Sequence, residues 1–117
     1  MTGSRKSKYR AVPTVVNGIK FSSKAEARRW QDLLLLVRAG LITHVARQQA
    51  LELAPSVRIP GEKRARPAIR YICDFAYMDL RTNTWVWEDV KGFETRVFRL
   101  KQHLVKHLHG IDVRVVP

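Results

Sequence analysis

The chain has 117 residues, 45% of them apolar, and 22 Lys and Arg against 10 Asp and Glu give a formal charge of +12. That length fits one domain, and the apolar share suffices for a real core and excludes a disordered chain. The cation excess points to a polyanionic partner, nucleic acid first, although a ribosomal or membrane-surface protein would carry the same charge.

No apolar run approaches the roughly 18 residues of a membrane span, so no membrane partner is expected. The amino terminus, Met1-Thr2-Gly3-Ser4-Arg5-Lys6-Ser7-Lys8, has no apolar stretch of the kind a secretory signal needs. One cysteine, Cys73, excludes an internal disulfide and a cysteine-based zinc finger, and the reading is a reduced, cytoplasmic protein.

Residues 1–11 read as a flexible basic arm, with one domain over 12–117. Asn17-Gly18 sits between short apolar runs and predicts a hairpin, because the pair accepts the positive φ angles of a type I′ turn. Ser23-Lys24-Ala25-Glu26 fits a capping box that opens a helix. Its apolar stripe is Trp30, Leu33, Leu34 and Val37, and Gly40 ends it. One or two short strands are expected at 42–46 and 50–53, then a loop to Pro67 rich in cations. Strands at about 68–77 and 84–90 follow. Thr95 caps a second helix to His109 with Val97, Leu100, Leu104 and Leu108 as its apolar face, and Gly110 stops it. A last strand at 111–116 follows a crossover helix, which predicts parallel pairing with 84–90.

The chemistry concentrates in Tyr71-Ile72-Cys73-Asp74-Phe75 and Trp87-Glu88-Asp89-Val90-Lys91. Carboxylates in such apolar strands are costly unless something compensates them. Alternation puts Asp89 and Lys91 on one face and Glu88 on the other. A hairpin centred near Arg81 and Thr82 sets Asp74 opposite Asp89, with Cβ atoms roughly 4.5–5.5 Å apart. Two bare carboxylates at that spacing take up a proton or a cation, and a hard divalent cation is the natural partner. Lys91 could then hold an attacking water or steady a phosphate.

Asp74 followed by Asp89-Val90-Lys91 resembles the PD-(D/E)XK nuclease superfamily. The nearer resemblance is to a small phage-encoded group assigned as endonucleases, carried by Ser22-Ser23-Lys24-Ala25-Glu26-Ala27, by the Asp74 strand, and by Glu88-Asp89-Val90-Lys91-Gly92 before a basic helix. The resemblance covers about residues 8–117. It implies an α/β, restriction-endonuclease-like mixed β-sheet flanked by helices, and Mg²⁺-dependent hydrolysis of DNA phosphodiesters, with Mn²⁺ able to substitute. Glu26, Asp74, Asp89 and the Val90 carbonyl would hold the metal, and Lys91 would orient or activate the water. One departure is Cys73, which stands where the family motif has proline. A homodimer is implied, since so small a domain cuts one strand per site, and branched or junction DNA is a plausible substrate by analogy. The location would be the cytoplasm of a bacterial host cell.

Blander readings stand beside these. The capping box by itself accounts for Glu26, and an edge ion pair or a solvated sheet face would account for Asp74, Asp89 and Lys91 singly. Glu88 reads as a surface or supporting acid. His103 and His107 have a zinc-compatible spacing but read better as part of a basic helix face. The expected DNA-backbone contacts are Arg64, Arg66, Arg70, Arg96, Arg99 and Lys101. The competing function is a non-catalytic nucleic-acid-binding accessory protein with the same fold, and a third is an RNA-binding protein of ribosomal type.

Overall fold

The computed structural model describes residues 12–117; the expected basic arm at 1–11, with its cluster Arg5, Lys6, Lys8 and Arg10, lies outside them. The order is β1 (Thr14–Val16), β2 (Ile19–Phe21), α1 (Lys24–Arg38), β3 (Ile42–Ala54), β4 (Ile69–Asp79), β5 (Thr84–Val90), α2 (Arg96–His109) and β6 (Val113–Val116). β1 and β2 form a separate hairpin, and the other four strands make one mixed sheet in the order β3-β4-β5-β6. β6 runs parallel to β5, as the crossover through α2 requires, and the other pairings are antiparallel. The architecture is therefore the expected mixed α/β sheet flanked by helices. No helix among the described residues is long and apolar enough to cross a membrane.

Local chemistry sets the element ends. Asn17 and Gly18 have φ of 50° and 80°, as the Asn-Gly turn predicts. Ser23 Oγ accepts the Glu26 N–H at 3.1 Å and Thr95 Oγ1 accepts the Phe98 N–H at 3.0 Å, so both predicted N-caps form. α1 ends in a Schellman turn. Gly40, at φ 77°, donates to the Val37 carbonyl, and Leu41 donates to Leu36. Gly110, at φ 69°, closes α2.

Four expectations need correction. The one or two short strands expected at 42–46 and 50–53 are one strand of 13 residues, β3, whose pairing with β4 shifts register between Thr43 and Ala46 and between Glu52 and Ala54. The last strand begins at Val113, because the chain leaves α2 through Gly110 and needs Ile111 and Asp112 to reach the sheet. The buried stripe of α1 is Glu26, Ala27 and Leu33 with Trp30 and Leu36 packed against the core, while Leu34 and Val37 are exposed. On α2 the buried residues are Phe98 and Val105, with Leu104 beside them; Val97, Leu100 and Leu108 are exposed. In α1 the expected Trp30 and Leu33 do face the core and Leu36 stands in for Leu34 and Val37, while in α2 the true stripe is about one residue out of phase with the expected one. Phe98 and Leu36 were missed because several adjacent apolar positions made the phase ambiguous.

The sheet carries a core on each side. Phe21, Ala27, Leu33, Ile42, Phe75, Tyr77 and Val86 pack with α1. Leu53, Tyr71, Cys73, Phe98, Val105 and Val113 pack with α2. Strict alternation would set Tyr71, Cys73, Phe75 and Tyr77 on one face of β4. Instead the first two belong to the α2 core and the last two to the α1 core. The change of face occurs at Asp74.

Candidate functional site

β4 loses its regular pairing at Asp74 on both sides. Towards β3, Arg47 pairs with Phe75 and Gln49 with Cys73, but Gln48 and Asp74 form no pair between them. Gln48 has φ 53°, the left-handed region that costs a non-glycine residue free energy. Towards β5 the ladder runs from Asp79 and Thr84 to Phe75 and Glu88 and stops there. This is the register expected from the sequence, and it brings Asp74 level with Asp89.

Carboxylates take over where the ladder stops. The Asp74 N–H donates to Asp89 Oδ1 at 2.9 Å, and the Val90 N–H donates to Asp74 Oδ2 at 2.9 Å. Asp89 is 1% exposed, and its other oxygen accepts the Tyr71 hydroxyl. Burial first, and then the charge of Asp89, push the Asp74 carboxyl up from its ordinary value to about 7; the Val90 N–H opposes the shift and Glu26 adds to it. The Tyr71 hydroxyl is also raised, by burial and then by Asp89, and so stays a proton donor.

Glu26 is the third acid, 2% exposed on the first turn of α1. Its Oε1 accepts from Ser22 Oγ at 2.5 Å and from the Ser22 N–H at 3.3 Å. Its Oε2 accepts from Gln48 Nε2 at 3.3 Å. The capping box is thus half made: Ser23 caps the helix, while the glutamate reaches towards Gln48 instead of closing the box on Ser23. Glu26, Asp74 and Gln48 line one cleft of about 540 Å³ with Ser22, Lys20 and Arg47.

Glu88 points to the opposite face from Asp89, as alternation predicts, but it is not a surface acid. It is 0% exposed and bound by Arg29 of α1 through Nε at 2.8 Å and Nη2 at 2.6 Å. The Tyr77 hydroxyl donates to it at 2.5 Å, and Arg114 of β6 lies 3.9 Å away. Arg29 is one helical turn beyond Glu26, so this clamp fixes the helix that carries Glu26 against the strand that carries Asp89. The neighbouring Cys73 thiol, pushed up to about 12 mainly by burial, donates to the Glu88 carbonyl at 3.0 Å and is inert.

Lys91 shares the α2 face with Asp89, and its ammonium sits over the Phe98 ring at 4.9 Å. The expected phosphate contacts are spread more widely. Arg64, Arg70, Arg96 and Arg99 are exposed. Arg66 is held by Glu62 in a two-pronged pair at 3.0 and 2.6 Å. Lys101 donates to the Arg70 carbonyl at 3.1 Å, so its charge is tied to the end of β4. Arg99, His103 and Lys106 line a second groove of about 360 Å³ between α2 and β6. Trp87 packs in the α2-side core, and Trp85 is exposed against His44, so neither lines the cleft with Glu26. Among the described residues, no group of three or more His, Cys, Asp and Glu side chains has an arrangement that could hold a metal ion as it stands.

The fold and site together define a small, strongly basic α/β protein with a carboxylate cluster at a break in its sheet. The chain matches the family described as Protein of unknown function (DUF1064) over residues 6–115, and it belongs to that family. No curated protein and no solved structure matches it.

Proposed function

We propose that the protein is a Mg²⁺-dependent DNA endonuclease of PD-(D/E)XK type. The observation that carries this reading is the replacement of backbone pairing at Asp74 by two adjoining carboxylates, Asp74 being raised by burial and by Asp89, with Glu26 near enough to add to the shift. Structural acids in a protein interior are ordinarily neutralised by cations, as Glu88 is by Arg29. Asp74 and Asp89 have no such cation among the described residues, in a chain with twelve positive charges to spare.

The donor chemistry fits a hard cation. Glu26, Asp74 and Asp89 with the Val90 carbonyl are all oxygen ligands, the set that Mg²⁺ and Mn²⁺ prefer. When bound, such an ion neutralises phosphoryl oxygens and lowers the pKa of water. The chain's own residues then have separate tasks. Tyr71 orients Asp89 by donating to one of its oxygens. Ser22 and Gln48 orient Glu26, and the Arg29–Glu88 clamp holds α1 in place. Lys91, two residues beyond Asp89 on the same face, swings from Phe98 to steady the attacking water or the scissile phosphate. Each chain offers one such centre, so cutting both strands of a duplex or a junction requires two copies.

A second reading, a DNA-binding accessory protein that does not cut, is favoured by one observation. In this structure the carboxylates are satisfied by N–H groups and Tyr71 and do not converge as a ligand set. Cleavage of labelled single-stranded, duplex, flap and four-way-junction DNA with Mg²⁺, Mn²⁺ or EDTA separates the two. The nuclease reading expects metal-dependent cutting that falls at least about 100-fold in both Asp89→Ala and Lys91→Ala. Salt-sensitive binding with no cutting on any substrate would establish the accessory reading.

A further inference from the structure

The cleft at Glu26 and Asp74 has a cationic wall that the carboxylate chemistry does not use. Arg47 and Gln48 are consecutive in β3, and in a regular strand their side chains would face opposite ways. Here both line the cleft, because Gln48 takes the left-handed conformation at the point where β3 and β4 part. Such a local departure costs free energy and persists where the surrounding structure enforces it. Its result is to turn Arg47 and Gln48 to one side.

Arg47 is held without being neutralised. Its guanidinium lies over the Phe21 ring at 4.5 Å and 5.9 Å from the Trp30 ring. One Nη donates to the Lys20 carbonyl at 3.2 Å. Its Nε is shielded from solvent and has no hydrogen-bond partner among the described residues, a rare condition for a buried donor. Two carboxylates line the same cleft, yet among the described residues Arg47 forms an ion pair with neither. A planar fork that lines a cleft, backed by two aromatic rings and paired with no carboxylate, suits an anion that comes from outside.

We propose that Arg47, assisted by Lys20, binds a backbone phosphate of the DNA strand that enters this cleft, donating from its guanidinium to the non-bridging oxygens. This rests on the reading that the cleft receives DNA, and it assigns the contact to residues outside the expected basic clusters. The phosphate is placed beside Glu26 and Asp74, while Gln48 keeps Glu26 oriented.

The test is binding of a fluorescein-labelled DNA duplex with Ca²⁺ in place of Mg²⁺, over a salt series, for wild type, Arg47→Met and Lys20→Met. Methionine keeps apolar cover over Phe21 and Trp30, and Lys20 sits on an exposed hairpin, so at least the second variant folds. Arg47→Met is expected to bind about 10-fold more weakly, with the slope of log affinity against log salt shallower by about 0.9, the value for one lost phosphate. Lys20→Met is expected to show a smaller loss in the same direction. Unchanged affinity and slope in both variants would overturn the proposal. Cleavage by wild type in Mg²⁺ is scored separately. If wild type cuts and the variants bind and cut normally, the phosphate contact falls and the nuclease stands. If wild type never cuts but Arg47→Met loses binding and slope, the contact stands and the nuclease falls.

Discussion

At the scale of single residues, Asp74 and Glu88 show two ways of burying an acid. Glu88 is paired with Arg29 and Tyr77 and is structural. Removing one partner of such a pair strands the other charge, so Arg29→Met is expected to cost about 3–5 kcal/mol in urea denaturation. Asp74 is the reverse case. Its folded value of about 7 lies above its ordinary value of 3.8. Its contribution to stability is therefore full below about pH 4 and is lost as pH rises through about 7. In EDTA, wild type should lose stability across that window and Asp74→Asn should not. Asparagine still accepts from the Val90 N–H, so at pH 8 the variant should melt several degrees above wild type. A lower melting temperature for Asp74→Asn at pH 8 would mean that the carboxylate is there to hold the backbone.

At the scale of elements, the break in β4 couples the fold to the site. Gln48→Gly relaxes the left-handed residue and should raise stability by up to about 1 kcal/mol in urea denaturation. It also removes the donor to Glu26, so cleavage should fall; unchanged cleavage would remove Gln48 from the site. Gly40→Ala works the other way, straining the Schellman turn of α1 by about 1 kcal/mol.

The sequence made the caps, the Asn-Gly turn, the parallel β5–β6 pair and the Asp74–Asp89 level legible, because each rests on local chemistry or a fixed period. It did not disclose the Gln48 kink, since glutamine carries no marker for positive φ. It also hid the switch of faces at Asp74, because alternation assumes an unbroken ladder. Tyr71 was hidden for the same reason, since strict alternation sets it on the face opposite Asp89. Arg29 could have been found one turn from Glu26. Arg47 looked like any other cation in a basic chain, and only its stacking on Phe21 and its unmet Nε mark it out.

At the scale of the molecule, the two cores place α1 and α2 on opposite sides of a sheet that parts where the acids gather. If the protein binds DNA as proposed, its charge of +12 should make that binding strongly salt-dependent. Arg64→Ala and Arg70→Ala, both at exposed cations, should each lower duplex affinity and flatten the salt slope by about 0.9, independently of sequence. Arg66→Ala should do less, since Glu62 already engages that side chain. These variants define where the strand runs. The central claim is narrower: Glu26, Asp74 and Asp89 form a metal centre, and Glu88 does not belong to it. Its most direct test is calorimetric titration of Mn²⁺ into wild type, Asp74→Asn, Asp89→Asn and Glu88→Gln. The account predicts saturable binding in wild type, its loss in both aspartate variants, and its retention in folded Glu88→Gln. No binding in wild type, or binding that survives both aspartate changes, would contradict it.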